Sequence, residues 1–512
     1  MKLITRFFSP SSKNYATMLL AVATFLSYLA GFFRDLIIAY TFGATGATDA
    51  YFAAFLIPDV IFAFSAGGFL SGIFLKVYSK EKSLSKESAE KLSGSFLFWM
   101  LSFVILICGL AYIFMPQLVA FVFNESSSLM QNDIIEFSRI LLFSPLIFSI
   151  SNFFGSILMN SKHYLSYALS PFFYNLGIIG MTLFLGPVIG IKAAILGVVL
   201  GLCFHFLFRF WDFNHAKIKL SFSFYHTKLF EIIKLSLPKI FGLLSMQLTL
   251  LFFAKMALSY QEGINTAFNL ARNIQSFAVS LFAISFATAV YPFILDLVHD
   301  KKESQLKVEI EDSMLRILTF CLAATSGMYV LLRPMISGLF EYGSFGSVAA
   351  ENTILILVFL LIAIPFEGLN HLYSRIYYAF SNTILPVIFS QFFLFTSTFG
   401  VYYFAERFGV YAFGFFFALG VIIQNILLLS FLKKYVEIPF VSILKKLSKL
   451  IFACFIMVLA VYPINLFEIN PLVKLLLGSL LGALVYFVCL HYLKMIQYTG
   501  INFKKIYVRI FG

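Results

Sequence analysis

LSYLAGFFRDLIIAYTFGATGATDAYFAAFLIPDVIFAFSAGGFLSGIFLK, residues 26–76, consists of two long apolar segments joined by a Gly/Thr/Ala turn. Arg34, Asp35, Asp49 and Asp59 stand inside those segments or at their edges. An ionised side chain near the middle of a bilayer costs roughly 2.5–3.5 kcal/mol on insertion scales, so such groups usually face a water-filled cavity and mark a substrate or ion path. The stretch reads as part of a transporter.

The rest of the chain agrees. Its 512 residues are 61% hydrophobic and 12% charged, with a mean hydropathy of +0.92. A soluble domain carries about twice that share of charge, so the composition describes a polytopic membrane protein. Counting apolar runs of about 20 residues between polar breaks gives roughly fourteen spans. They fall near 15–41, 48–77, 93–123, 135–160, 164–186, 188–210, 230–258, 265–297, 313–333, 350–378, 383–405, 409–432, 448–467 and 471–493. Short loops rich in Lys and Arg stay in the cytoplasm. Lys2, Arg6 and Lys13, then Lys80 to Lys91, Lys217 to Lys228, Lys433 to Lys449 and Lys494 to Arg509 fall on one side of this count. Both termini are therefore expected in the cytoplasm. The net charge of +13 follows from that asymmetry and needs no nucleic acid.

An internal repeat is legible in IFMPQLVAFVF, with Pro116, and LLRPMISGLF, with Pro334. Pro145 and Pro365 follow at matching offsets, within two residues. Duplicated halves place a transporter's substrate site between them. The expected fold is an all-α polytopic membrane protein with 14 transmembrane helices. Residues 1–228 form an N-terminal lobe of six spans, 229–434 a C-terminal lobe of six, and 435–512 two further helices with a tail. Lys301 to Asp312 is read as a cytoplasmic, amphipathic linker between the eighth and ninth spans.

Catalysis has no visible seat. No Gly-Lys dipeptide exists for a phosphate-cradling loop, the seven histidines form no metal pair, and the five cysteines stand alone in apolar runs. No metal or cofactor is expected. The informative residues are embedded charges: Arg34, Asp35, Asp49, Asp59, Lys239, Lys255, Arg272, Glu367 and Arg375. Arg34 and Arg272 stand out, because a guanidinium grips two anionic oxygens at once and cannot shed its charge. One from each lobe suits a diphosphate. Asp35 beside Arg34 also admits a plain local ion pair, and Lys255 near a span end admits snorkelling.

These residues resemble a known family. GFFRDLIIAYTFGATGATDAYFAAFLIPD, FFGSILMNSKHYLSYALSPFFYNLGIIG, FNLARNIQSFAVSLFAISFATAVYPFIL, FEYGSF and the YSR at 373–375 are similar to the lipid II flippases of the multidrug/oligosaccharidyl-lipid/polysaccharide exporter superfamily. The resemblance implies a flippase of the bacterial inner membrane that moves a polyprenyl-diphosphate-linked peptidoglycan precursor, lipid II, to the periplasmic leaflet by alternating access. It implies Arg34 and Arg272 as cavity cations, Asp49 as a functional carboxylate, a lipid-tail groove at the last two helices, and membrane lipids and cell-wall synthesis proteins as partners. Tyr28, Phe62, Ala63 and Gly67 stand where the family commonly has charges, and Lys76 where it commonly has proline. With fewer cations, the cavity is expected to draw on Lys239 and Lys255 for substrate binding, or to serve another polyprenyl-diphosphate glycan such as an O-antigen or capsule unit. A non-transporting membrane scaffold is the alternative of a different class.

Overall fold

The computed structural model describes residues 13–64, 73–161, 163–216, 218 and 220–500, and the regular elements among them are all helices. Contacts divide the chain into two compact units, Met1–Thr266 with Gly343–Gly346, and Ala267–Tyr342 with Ser347–Gly512. Among the described residues, thirteen helices are long and apolar enough to cross a membrane. They match thirteen of the fourteen expected spans.

The first unit holds α1 (Lys13–Phe42), α2 (Gly46–Ala54), α3 (Leu56–Phe62), α4 (Ile73–Leu84), α5 (Lys86–Ile113), α6 (Met115–Val122), α7 (Ser128–Leu141), α8 (Phe143–Asn160), α9 (Tyr164–Ile189), α10 (Lys192–His215) and α11 (Leu229–Tyr260). The segment expected as one span at 48–77 is broken instead. Proline has no N–H to give to the carbonyl four residues back, so Pro58 leaves Ala54 O without its helical donor. The Ser138 hydroxyl donates to that oxygen at 3.1 Å, and the chain turns at Phe55 between α2 and α3. Residues 65–72, Gly67 included, lie outside the described residues. The core of this unit is aromatic: the Phe74 ring lies 4.5 Å from Phe96 and 5.4 Å from Phe153. α9 and α10 pack backbone to backbone, and a Cβ on Gly177 would sit 2.5 Å from Gly201. Small residues permit such close approach in membranes.

The second unit contains most of α12 (Ile264–Val279), whose first turn belongs to the first unit. A π-helical stretch, Ser280–Ile284, joins α12 to α13 (Ser285–His299). Then come α14 (Glu303–Val330), α15 (Leu332–Leu339), α16 (Ser347–Ala379), α17 (Ile384–Phe408), α18 (Tyr411–Leu432), α19 (Phe440–Val461) and α20 (Pro471–Tyr492). The stretch expected as an amphipathic linker at 301–312 is helical from Glu303, the start of α14, where Leu306 and Ile310 share a face at helical spacing and both are buried.

The proline repeat has a structural counterpart. α5 and α14 are each 28 residues long, and each is followed after a single residue by an eight-residue helix with Pro116 or Pro334 in its first turn. Further along the resemblance weakens. A break at Leu142 precedes Pro145, whereas Pro365 sits inside the continuous α16.

Candidate functional site

Arg34 lies on α1 with its side chain 22% exposed. Its Nε and Nη2 both donate to Asp35 Oδ1, at 2.9 and 2.7 Å, and Nη1 donates to Asn175 Oδ1 on α9 at 3.1 Å. Asn175 is fixed in turn, its Nδ2 donating to Pro171 O at 3.0 Å. The phenols of Tyr51 and Tyr174 are electrostatic neighbours of the guanidinium. The local ion pair therefore forms. Three of five N–H donors are spent, and the charge is balanced by the next residue in the chain.

Asp49, on α2, is fully buried. Its Oδ2 accepts from Gly263 N at 2.6 Å, and its Oδ1 accepts from Thr266 N at 2.8 Å and from Thr266 Oγ1 at 2.7 Å. Those donors belong to the start of α12, where unpaired N–H groups and the helix dipole favour a negative charge. Asp49 is thus a cap supplied from another helix. It closes a clasp of three loops within the first unit: Gly46 N donates to Glu262 Oε1 at 2.5 Å, Ser344 N to Tyr40 O at 2.9 Å, and Ser344 Oγ to Thr41 O at 3.1 Å. Gly263 and Gly343 have φ of +85° and +61°, and a Cβ on either would strike a backbone oxygen of the α1–α2 connection or of the end of α1 at 2.7 or 2.4 Å. Both positions require glycine.

Arg272, on α12 in the second unit, has a partner distant in sequence. Nη2 donates to Glu367 Oε1 of α16 at 3.1 Å, and Nη1 donates to Gln275 Oε1. Gln275 Nε2 then donates to Glu367 Oε2 at 2.7 Å, closing a three-residue ring. The guanidinium lies 4.9 Å from the centre of the Phe417 ring, and its Nε is buried with no hydrogen-bond partner. One donor nitrogen of the guanidinium therefore makes no hydrogen bond.

Lys239 and Lys255 are both half-buried on α11. They are sixteen residues apart, which is about 24 Å along a helix, so they cannot grip one diphosphate together. Of the departures, Tyr28 is 37% exposed and Phe62 packs 6.0 Å from Phe148. The reading of single residues missed Asn175 and Gln275. Gln275 had a signal, since it lies three positions after Arg272 on the same helical face.

The second unit also holds an apolar cavity of about 420 Å³. Phe277, Phe320, Met328, Met335, Met457 and Tyr486 are among its lining, drawn from α12, α14, α15, α19 and α20. Nothing polar beyond Ser479 and the Tyr486 hydroxyl faces it from side chains, and that hydroxyl donates to Thr319 O at 2.7 Å.

A family model described as "Lipid II flippase MurJ" matches residues 38–482. A probable lipid II flippase MurJ of Rickettsia prowazekii is 27% identical over 74% of this chain and 76% of its own length. One of Aquifex aeolicus is 26% identical over 76% and 79%. A solved structure titled "Lipid II flippase MurJ, inward closed conformation" superposes with a TM-score of 0.80 at 25% identity, covering 94% of this chain and all of the other. An inward-facing MATE multidrug transporter of the MOP superfamily shares the fold, with a TM-score of 0.65 at 16% identity.

Proposed function

This chain belongs to the lipid II flippase MurJ family, and from that membership we propose that it carries lipid II, a polyprenyl-diphosphate-linked precursor, from the cytoplasmic to the periplasmic leaflet. The observation that carries the reading is the family match over residues 38–482, joined by an overlap of 94% of the chain with a flippase structure. In this reading Arg34 and Arg272 each meet the diphosphate of the lipid carrier. Each already holds a carboxylate, so the anion exchanges with Asp35 or Glu367 instead of entering a bare cationic hole. Arg272 has its unspent Nε for the purpose. Charge-assisted bonds from such forks are about twice as strong as neutral ones.

The apolar cavity beside α19 and α20 takes the prenyl tail, which is held there by packing, since a tail moving from lipid to an apolar cavity gains no hydrophobic transfer energy. Asp49 serves transport through the clasp: it holds the three loops together and must release them for the headgroup to leave. Lys239 and Lys255 line separate stretches of the path. With the lysine-rich loops in the cytoplasm, the clasp lies at the periplasmic end. A cysteine at Ser127 then reacts with an impermeant reagent in intact cells while one at Ser85 does not, and the reverse pattern would invert the orientation.

The functional test is complementation in a bacterium depleted of its own lipid II flippase. Restored growth without accumulation of lipid II is the expected result. A correctly inserted protein that leaves lipid II accumulating would redirect the reading to another polyprenyl-diphosphate glycan.

A further inference from the structure

Carboxylates buried in these helices come with partners. Asp35 has Arg34, Asp49 has three donors, Asp212 has His163 and Ser166, and Glu367 has Arg272 and Gln275. Asp59 differs. It sits half-buried on α3, and its carboxylate makes no hydrogen bond or ion pair among the described residues. An ionised carboxylate partly shielded from water and without a partner bears a desolvation cost that nothing offsets. No packing requirement calls for an aspartate there, since an apolar side chain fills the same place without that cost.

Its surroundings suggest what the group is for. Of the helices packed on α3, namely α2, α5, α7, α8 and α11, none brings a charged group into electrostatic reach of Asp59 among the described residues. Phe148 of α8 joins the two places, its ring 6.0 Å from Phe62, three residues after Asp59 on α3, and 5.4 Å from Tyr174 of α9, and the Tyr174 phenol is the titratable neighbour that Asp59 shares with Arg34 and Asp35. Arg34 and Asp35 cancel, so the cluster carries one net negative charge when Asp59 is ionised and none when it is protonated.

Resting on the function proposed above, we infer that Asp59 is a proton-binding site whose charge is linked to the anion held at Arg34. An ionised Asp59 repels a diphosphate arriving at Arg34, and a proton on Asp59 removes that repulsion. Linkage is reciprocal: the bound anion favours protonation as much as protonation favours the anion. Proton occupancy thereby enters the transport cycle without a metal or a nucleotide.

The test uses the purified full-length chain with farnesyl diphosphate as the probe. Wild type and Asp59→Asn are compared at the same pH, so that titration of the probe cancels. Coupled sites commonly show about 5- to 150-fold effects, so the Asn variant should bind at least about fivefold more tightly than wild type at pH 8, with the gap closing at pH 6. Equal affinities at both values, or a gap that pH does not change, would overturn the inference. A second arm leaves the sequence intact: an apolar carbodiimide, which attacks protonated carboxyl groups, should modify Asp59 more at pH 6 than at pH 8. No modification at either pH also overturns it. If wild type and variant both ignore farnesyl diphosphate, the lipid-carrier reading fails, and the carbodiimide result alone then decides whether Asp59 takes up a proton.

Discussion

The Arg34 and Arg272 pockets perform one chemical task in two ways. Both arginines present a guanidinium balanced by a carboxylate and steadied by a side-chain amide, Asn175 in the first case and Gln275 in the second. Arg34 takes its carboxylate from the next residue, on its own helix, and reaches a second helix through the Asn175 amide of α9. Arg272 takes its carboxylate from α16, 95 residues away, and the pair ties that helix to α12. The two pairs are about equally sheltered, with side-chain exposures of 15% and 12% for Arg272 and Glu367 against 22% and 7% for Arg34 and Asp35. One pocket is a local fitting, and the other is part of the frame.

The largest effect should therefore come from Arg272→Ala. It strands Glu367, and breaking a buried pair by removing one partner costs about 3–5 kcal/mol, read as lost thermal stability in detergent. Arg34→Ala also strands a buried carboxylate, Asp35, but breaks no ion pair between helices, so it should cost less. Equal losses would erase the distinction. The double variant Arg272→Met with Glu367→Leu sharpens it, since stability should largely return while transport does not.

Asp49 extends the comparison to a carboxylate balanced by no cation at all. Asp49→Asn removes the charge from an acceptor of three hydrogen bonds, and a bond to a charged group contributes about 1.5–3 kcal/mol. Amide hydrogen exchange at Gly263 and Thr266 should quicken, while exchange around Arg34 stays as it was. Unchanged protection at both amides would remove Asp49 from the clasp.

The smallest effect lies outside the spans. His226 accepts from Lys228 N on Nδ1 at 3.2 Å, its Nε2 is 3.1 Å from Ser88 Oγ, and Ser88 Oγ donates to Glu81 at 2.9 Å. Burial holds its pKa below the usual value. The folded chain thus binds this proton less readily than the unfolded one, so the contribution is full above about pH 6.5 and declines as pH falls through the lowered folded value. A small acid loss of thermal stability, flattened in His226→Asn, is expected. An identical profile in the variant would show that the ring does not matter.

Hydropathy made the spans legible because bilayer thickness sets their length, and lysine asymmetry gave an orientation still to be tested. Pro58 and Pro116 stand where helices break although both were read inside single spans, and Pro365 breaks nothing, since tertiary packing decides whether a lost hydrogen bond is tolerated. At 301–312 the charges form the polar face of an amphipathic stretch and the i, i+4 pair Leu306 and Ile310 its buried face, so the linker runs on as the helix of the ninth span. In the site, Arg34 and Asp35 were readable as neighbours in sequence. The Glu367 partner of Arg272 was not, because a pair 95 residues apart leaves no local pattern. Asp49 was harder still. Its partners are two backbone amides and a threonine, and no arrangement of side chains announces an amide.

The most direct test is reconstitution. Purified protein in liposomes loaded with lipid II should speed the appearance of the headgroup on the opposite leaflet, read by an impermeant reagent, and Arg34→Ala and Arg272→Ala should each abolish the acceleration. Wild-type liposomes no faster than protein-free ones, or both variants as fast as wild type, would contradict the account.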